Sequence, residues 1–194
     1  MTRLGALLAL PAAVISAAAL VGAAGCGDGG SPSTTGAPTA AEVDAAADAI
    51  PLTTTLNGTR PPGRVSLVSA SAEELVLDRD GQQVRVYRDV RPAGTRAPIH
   101  VHGAGGWTCV VKGQAIMFVE GAKPSRAGVG ECVNMPPLTP MSNYNPGPGP
   151  ATLLDSFVTP PGAAVWRIVE DGYTDLGNEF AHGYHPSRQG ASAP

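Results

Sequence analysis

Between residues 64 and 170 the chain is a succession of short apolar runs and alternations cut by Gly and Pro, with no sustained 3.6-residue period. Strands are predicted over 64–70, 74–78, 83–90, 97–102, 107–112, 115–120, 131–135, 141–145, 152–158 and 164–170. Asp80-Gly81 is a two-residue hairpin signal between the second and third of these. Residues 121–130 read as a Gly/Pro/Lys/Arg-containing connection. Many short strands with turn residues between them indicate an all-β sandwich or barrel over 52–170, large enough for a single core.

The first quarter has a different pattern. Arg3 precedes an apolar stretch over 4–21, which ends in Ala23-Ala24-Gly25-Cys26. A positive start, an apolar middle and small residues at a cleavage point make 1–25 a secretory signal peptide. The segment resembles a bacterial lipobox, which implies acylation of Cys26 and anchorage to the cell membrane on its extracytoplasmic face. Gly22, Gly25, Gly27, Gly29 and Gly30 break the run where a spanning helix would continue. Residues 27–51 are expected to be a flexible tether, with a short helix over 42–50 before Pro51. A tail, 171–194, carries His182 and His185.

A net charge of −3, without any Lys/Arg cluster and with few aromatics, argues against nucleic acid as a partner. With Cys26 assigned to acylation, Cys109 and Cys132 remain. In an oxidising compartment they are either a disulfide or two small apolar strand residues.

The chemistry concentrates at His100 and His102. Two histidines at i and i+2 of a strand share a face and place two imidazoles side by side. Gly94, His100, His102 and Gly113 fit the spacing G-x5-H-x-H-x3,4-E-x6-G, and Gly130, Pro136 and Asn145 fit G-x5-P-x-G-x2-H-x3-N. In these two patterns the chain resembles the cupin superfamily of small jelly-roll barrels. The resemblance implies a metal site of two His and a Glu from the first motif and one His from the second. Here Gly106 stands at the Glu position, Met141 at the His position and Leu138 at the second-motif Gly position.

A small-molecule pocket is therefore expected at His100, His102, Met141 and Asn145. The rival expectation is a metal-dependent enzyme of oxygenase or isomerase type, its ion (Cu, Fe, Mn or Zn) held by His100, His102 and a substitute ligand. Met141 would make a soft set suited to Cu(I), or would be an apolar filler of the barrel. Asp155 could restore the lost carboxylate, and His182 and His185 could fold over the mouth. A third expectation is a structural or partner-binding surface lipoprotein. The resemblance also brings homodimerisation through the sheets, common among cupins.

Overall fold

A computed structural model describes residues 37–176. The signal segment, Cys26, the first part of the tether, His182 and His185 lie outside the described residues.

The helix is present and slightly earlier than expected, α1 (Ala40–Asp48). Thr39 and Glu42 form a reciprocal capping box that satisfies its first amides. α1 is not part of a tether, because it packs on the domain. Val43 and Ala47 are buried, Ala47 against Leu56, Ile99, Val101 and Val169. Asp44 accepts from the Ala164 amide at 2.9 Å, and Asp48 pairs with Arg167 at 2.6 Å. The folded unit thus includes α1 and starts before the expected boundary at residue 52.

Twelve strands follow among the described residues: β1 (Arg64–Val65), β2 (Ala70–Arg79), β3 (Gln82–Arg91), β4 (Thr95–Arg96), β5 (His100–Val101), β6 (Gly106–Lys112), β7 (Gln114–Val119), β8 (Ser125–Gly128), β9 (Cys132–Met135), β10 (Met141–Tyr144), β11 (Ala151–Thr159) and β12 (Arg167–Ile168). One sheet runs β1-β4-β10-β5-β12, with β7 also on β10 and β8 on β7; the other runs β2-β3-β11-β6-β9. Two mostly antiparallel sheets facing each other make a jelly-roll barrel.

The predicted strand over 64–70 is split, because the chain changes sheets there. Ser66 N–H bonds Arg96 O in the first sheet, and Ser69 N–H bonds Val90 O in the second. At the β2–β3 turn Asp80 and Gly81 both have positive φ, 51° and 75°, the type I′ geometry that matches strand twist. A bulge between Glu73 and Leu75 re-phases β2. Beyond it Leu75 and Leu77 join Trp107, Val111 and Val158 as exposed apolar residues of this sheet.

Arg96 and Glu170 form a buried bidentate ion pair at 2.6 and 2.7 Å, and Glu170 also accepts from the Ile99 amide at 2.7 Å. That clamp joins the strand-terminal segment before β5 to the end of the barrel. It fixes the backbone immediately ahead of His100.

Candidate functional site: a polar cavity between the sheets

β5 and the residue after it carry His100 and His102 into the barrel, while Val101 faces the opposite way into the cluster beneath α1. The ring centroids are 4.9 Å apart at 86°, edge to face. Trp166 stands edge-on to His100, and Phe157 lies 4.8 Å from His102.

Both tautomers follow from main-chain contacts. His100 Nδ1 lies 2.8 Å from Pro98 O, and His102 Nδ1 lies 2.6 Å from Val165 O. A carbonyl only accepts, so each Nδ1 carries the hydrogen and each Nε2 keeps a lone pair. Burial drives the pKa of His100 down to about 3 and that of His102 to about 4. The neighbouring imidazole lowers His100 further. Both rings are therefore neutral at pH 7.

The cavity they line measures about 100 Å³ and lies between the sheets. Its far wall comes from the second sheet: Tyr87, Asp89 and Arg91 of β3, Thr108 of β6, and Leu153, Asp155 and Phe157 of β11. Asp89 accepts a hydrogen bond from Ser71 and shares a proton with Asp155. Burial and the adjacent Asp89 charge raise the Asp155 pKa to about 8. Burial also lowers the Arg91 guanidinium to about 10, which leaves it charged at pH 7, with an N–H donated to Ser66 O at 3.1 Å.

Five atoms lining this space are buried without a close hydrogen-bond partner, His102 Nε2, Asn143 Oδ1, Asp155 Oδ1, Thr108 Oγ1 and Arg91 Nε, with the Thr108 hydroxyl near enough to the Asp155 carboxyl to interact with it. Each such group costs about 1–3 kcal/mol unless something satisfies it. Their convergence on one cavity is a stronger sign of a ligand site than any of them alone.

The structure moves two expected pocket residues elsewhere. Asn145 is fully buried beside a turn, where its amide donates to Arg91 O and Gly149 O and accepts from Gly147 N–H. It shapes the backbone and does not line the cavity. Met141 pairs with His100 in register, so it points inward. It is completely buried in an apolar cluster with Tyr87, Met117, Met135 and Phe157, and lies outside the cavity lining. Asn143, two residues before Asn145, is the β10 residue that reaches the cavity. Cys109 and Cys132 pair in register on β6 and β9 and form a disulfide.

A resident metal does not fit these residues. A Cβ on Gly106, the motif's Glu position, would come within 2.6 Å of Ser156 O and 2.7 Å of the Phe157 ring. β11 and Phe157 occupy the room a glutamate would need. Among the described residues no group of three or more His, Cys, Asp or Glu converges as a metal site, so Asp155 does not complete one with the pair. Two imidazoles facing a cavity that also holds the Arg91 guanidinium are a poor cage for a divalent cation.

No family model matches the sequence, and no curated protein matches it. Among solved structures, the DMSP lyase DddQ from Ruegeria pomeroyi aligns at 24% identity over 47% of this chain and 44% of its own, with a TM-score of 0.41. This chain therefore spans less than half of the lyase. An uncharacterized conserved protein with a double-stranded β-helix domain from Klebsiella pneumoniae aligns at 22% identity, over 53% of this chain and 81% of its own, TM-score 0.40. An RmlC-like cupin family protein from Methanocaldococcus jannaschii aligns at 20% identity, over 48% and 85%, TM-score 0.39.

The motif glycines Gly94, Gly113 and Gly130 all take positive φ, at 66°, 78° and 86°. Leu138, at the fourth glycine position, is held at φ 53°, a conformation glycine adopts without strain. The two spaced motifs thus lie on two facing sheets of a jelly-roll barrel with their turn conformations in place, as the cupin resemblance implies.

Proposed function

We propose that this domain binds a small organic molecule in the cavity between its sheets, without a resident metal ion. The observation that carries the reading is the set of five unpartnered polar atoms around one cavity with an aromatic and aliphatic wall. Room of about 100 Å³ suits several waters or one compact molecule, not a polymer. The residues in direct reach are His100, His102, Asn143, Thr108, Asp155 and Arg91.

The cellular setting proposed is the extracytoplasmic face of the membrane, with acylated Cys26 as the anchor. The lipobox-like run Ala23-Ala24-Gly25-Cys26 supports it, and the Cys109–Cys132 disulfide suits an oxidising compartment.

Thermal denaturation against a panel of metabolites and divalent metals tests the binding reading. A ligand of this site raises Tm in the wild type and loses its effect in both Thr108→Val and His102→Phe. If no organic compound shifts Tm, or if every shift survives both substitutions, the cavity is not a binding site. A shift caused by a metal ion alone, lost in His102→Phe, would favour the metalloenzyme reading instead.

A further inference from the structure

The hydrogen-bonding character of the cavity is lopsided. His102 presents a lone pair at Nε2, because its Nδ1 hydrogen is committed to Val165 O. Asn143 presents its side-chain oxygen. Asp155 holds the proton it shares with Asp89 and turns Oδ1, an acceptor, to the cavity. Three of the five unpartnered atoms thus accept only. Thr108 can donate or accept, and Arg91 Nε donates.

The charges of the same groups cancel. The Arg91 cation faces the adjoining Asp89 and Asp155 carboxyls, whose pKa values burial raises, and both histidines are neutral. An anion would meet the Asp89 carboxylate and the three acceptors, and a cation would meet Arg91; neither gains a buried counter-ion of its own. Phe157 and Trp166 supply flat apolar surface beside the imidazoles.

Resting on the binding reading above, we infer that the ligand is a small uncharged molecule rich in hydroxyl groups, a short polyol or a single hydroxylated ring. Its hydroxyl hydrogens are donated to His102, Asn143 and Asp155, its oxygens accept from Arg91 and Thr108, and its carbon face packs on Phe157. The hydrogen-bond donors set the specificity: a molecule of the same shape without them leaves three acceptors buried and unpaired.

The test compares matched probes by thermal shift at pH 7. One set holds neutral polyhydroxyl compounds, glycerol, xylitol, inositol and catechol. The second holds their O-methyl ethers, and the third holds carboxylates and primary ammonium compounds of like size. The expected result is a Tm rise of more than about 5 °C for at least one hydroxyl compound at a hundredfold excess over its Kd. The corresponding methyl ether gives no rise, and Thr108→Val and His102→Phe each abolish it. If the ether binds as well as its parent, the donor argument is overturned. If a carboxylate or ammonium probe gives a shift that both substitutions remove, the ligand class is wrong while the pocket stands. If no probe of any set shifts Tm, the binding reading and this inference fall together.

Discussion

Replacing Asp155 by Asn tests the electrostatics on which the cavity depends. The unfolded chain releases the Asp155 proton near pH 3.8, whereas the folded chain holds it until about pH 8. Between those values the native state binds the extra proton, so stability falls as pH rises. The histidines act in the opposite direction. Their ordinary pKa of 6.5 drops to about 3 and 4 on folding, so below pH 6.5 the unfolded chain binds protons that the native state refuses. Stability therefore also falls as pH drops from 6.5.

The two limbs meet near pH 6.5, where stability is greatest. One proton corresponds to a slope of about 1.4 kcal/mol per pH unit. From pH 6.5 to 8 the Asp155 limb thus removes about 2 kcal/mol from the wild type. Asp155→Asn has nearly the same shape, can donate its amide hydrogen to Asp89, and cannot ionise. Its alkaline limb should be flat, so its stability relative to wild type rises by about 2 kcal/mol over that interval. The acid limb should become steeper, because below pH 6.5 the wild type also gains from the Asp155 proton and Asp155→Asn has only the histidine slope. Urea denaturation followed by circular dichroism at half-unit steps from pH 5 to 9 measures both curves. Parallel curves for the two proteins across pH 6.5–8 would show that Asp155 is ionised in the native state, and the proton-sharing description of the cavity would be wrong.

Further substitutions report on the frame and on the anchor. Leu138 holds a left-handed backbone conformation and also packs partly against the Ile99 cluster. Leu138→Gly should be less destabilising than Leu138→Ala by about 1 kcal/mol, the reverse of the usual order, in urea melts; equal losses would remove the strain. Glu170→Gln leaves the Arg96 guanidinium buried without its counter-ion, and a loss of about 3–5 kcal/mol is expected. A loss under 1 kcal/mol by the same measurement would mean that other groups neutralise Arg96. The double substitution Cys109→Ala/Cys132→Ala opens a link across 23 residues of sequence and should cost about 3 kcal/mol, read as a fall in denaturation midpoint. Cys26→Ser should move the protein from the membrane fraction to the soluble fraction; unchanged partitioning would refute acylation at Cys26.

The sequence exposed the fold far better than the cavity, and β3 shows why. Its alternation puts valines at 84, 86 and 90 and polar residues at 85, 87, 89 and 91. The usual rule places the apolar set inside, but here Tyr87 and Arg91 are buried and Asp89 lines the cavity. The polar face of β3 builds the site, so periodicity reveals the strand and conceals its function. Asp89 and Arg91, two residues apart and therefore on one face, were the available signal. Asn143 had a weaker one, two positions before the motif's Asn145. β8 and β4 were missed for a simpler reason, since Ser125–Gly128 and Thr95–Arg96 contain no apolar alternation at all.

The cupin motif carries two kinds of information, and this chain separates them. Its glycines and Asn145 specify backbone: positive-φ turns at Gly94, Gly113 and Gly130, and a side-chain-capped turn after β10. Its His and Glu positions specify ligands. Backbone positions survive here even at Leu138, where the conformation persists without the glycine. Of the four ligand positions only His100 and His102 survive, and the loss of the other two is physical as well as chemical, because Phe157 fills the space beside Gly106 and Met141 is sealed in apolar packing. Restoring a glutamate at 106 would therefore not restore a metal site; it would drive a side chain into β11. With that wall closing the first-motif side, the polar contacts open to a ligand are the two imidazoles, Asn143 and the Thr108, Asp155 and Arg91 groups opposite. The degenerate motif and the carboxyl pair are thus two sides of one arrangement, in which the side chains that would complete a cation site are absent and hydrogen-bonding groups line the cavity instead.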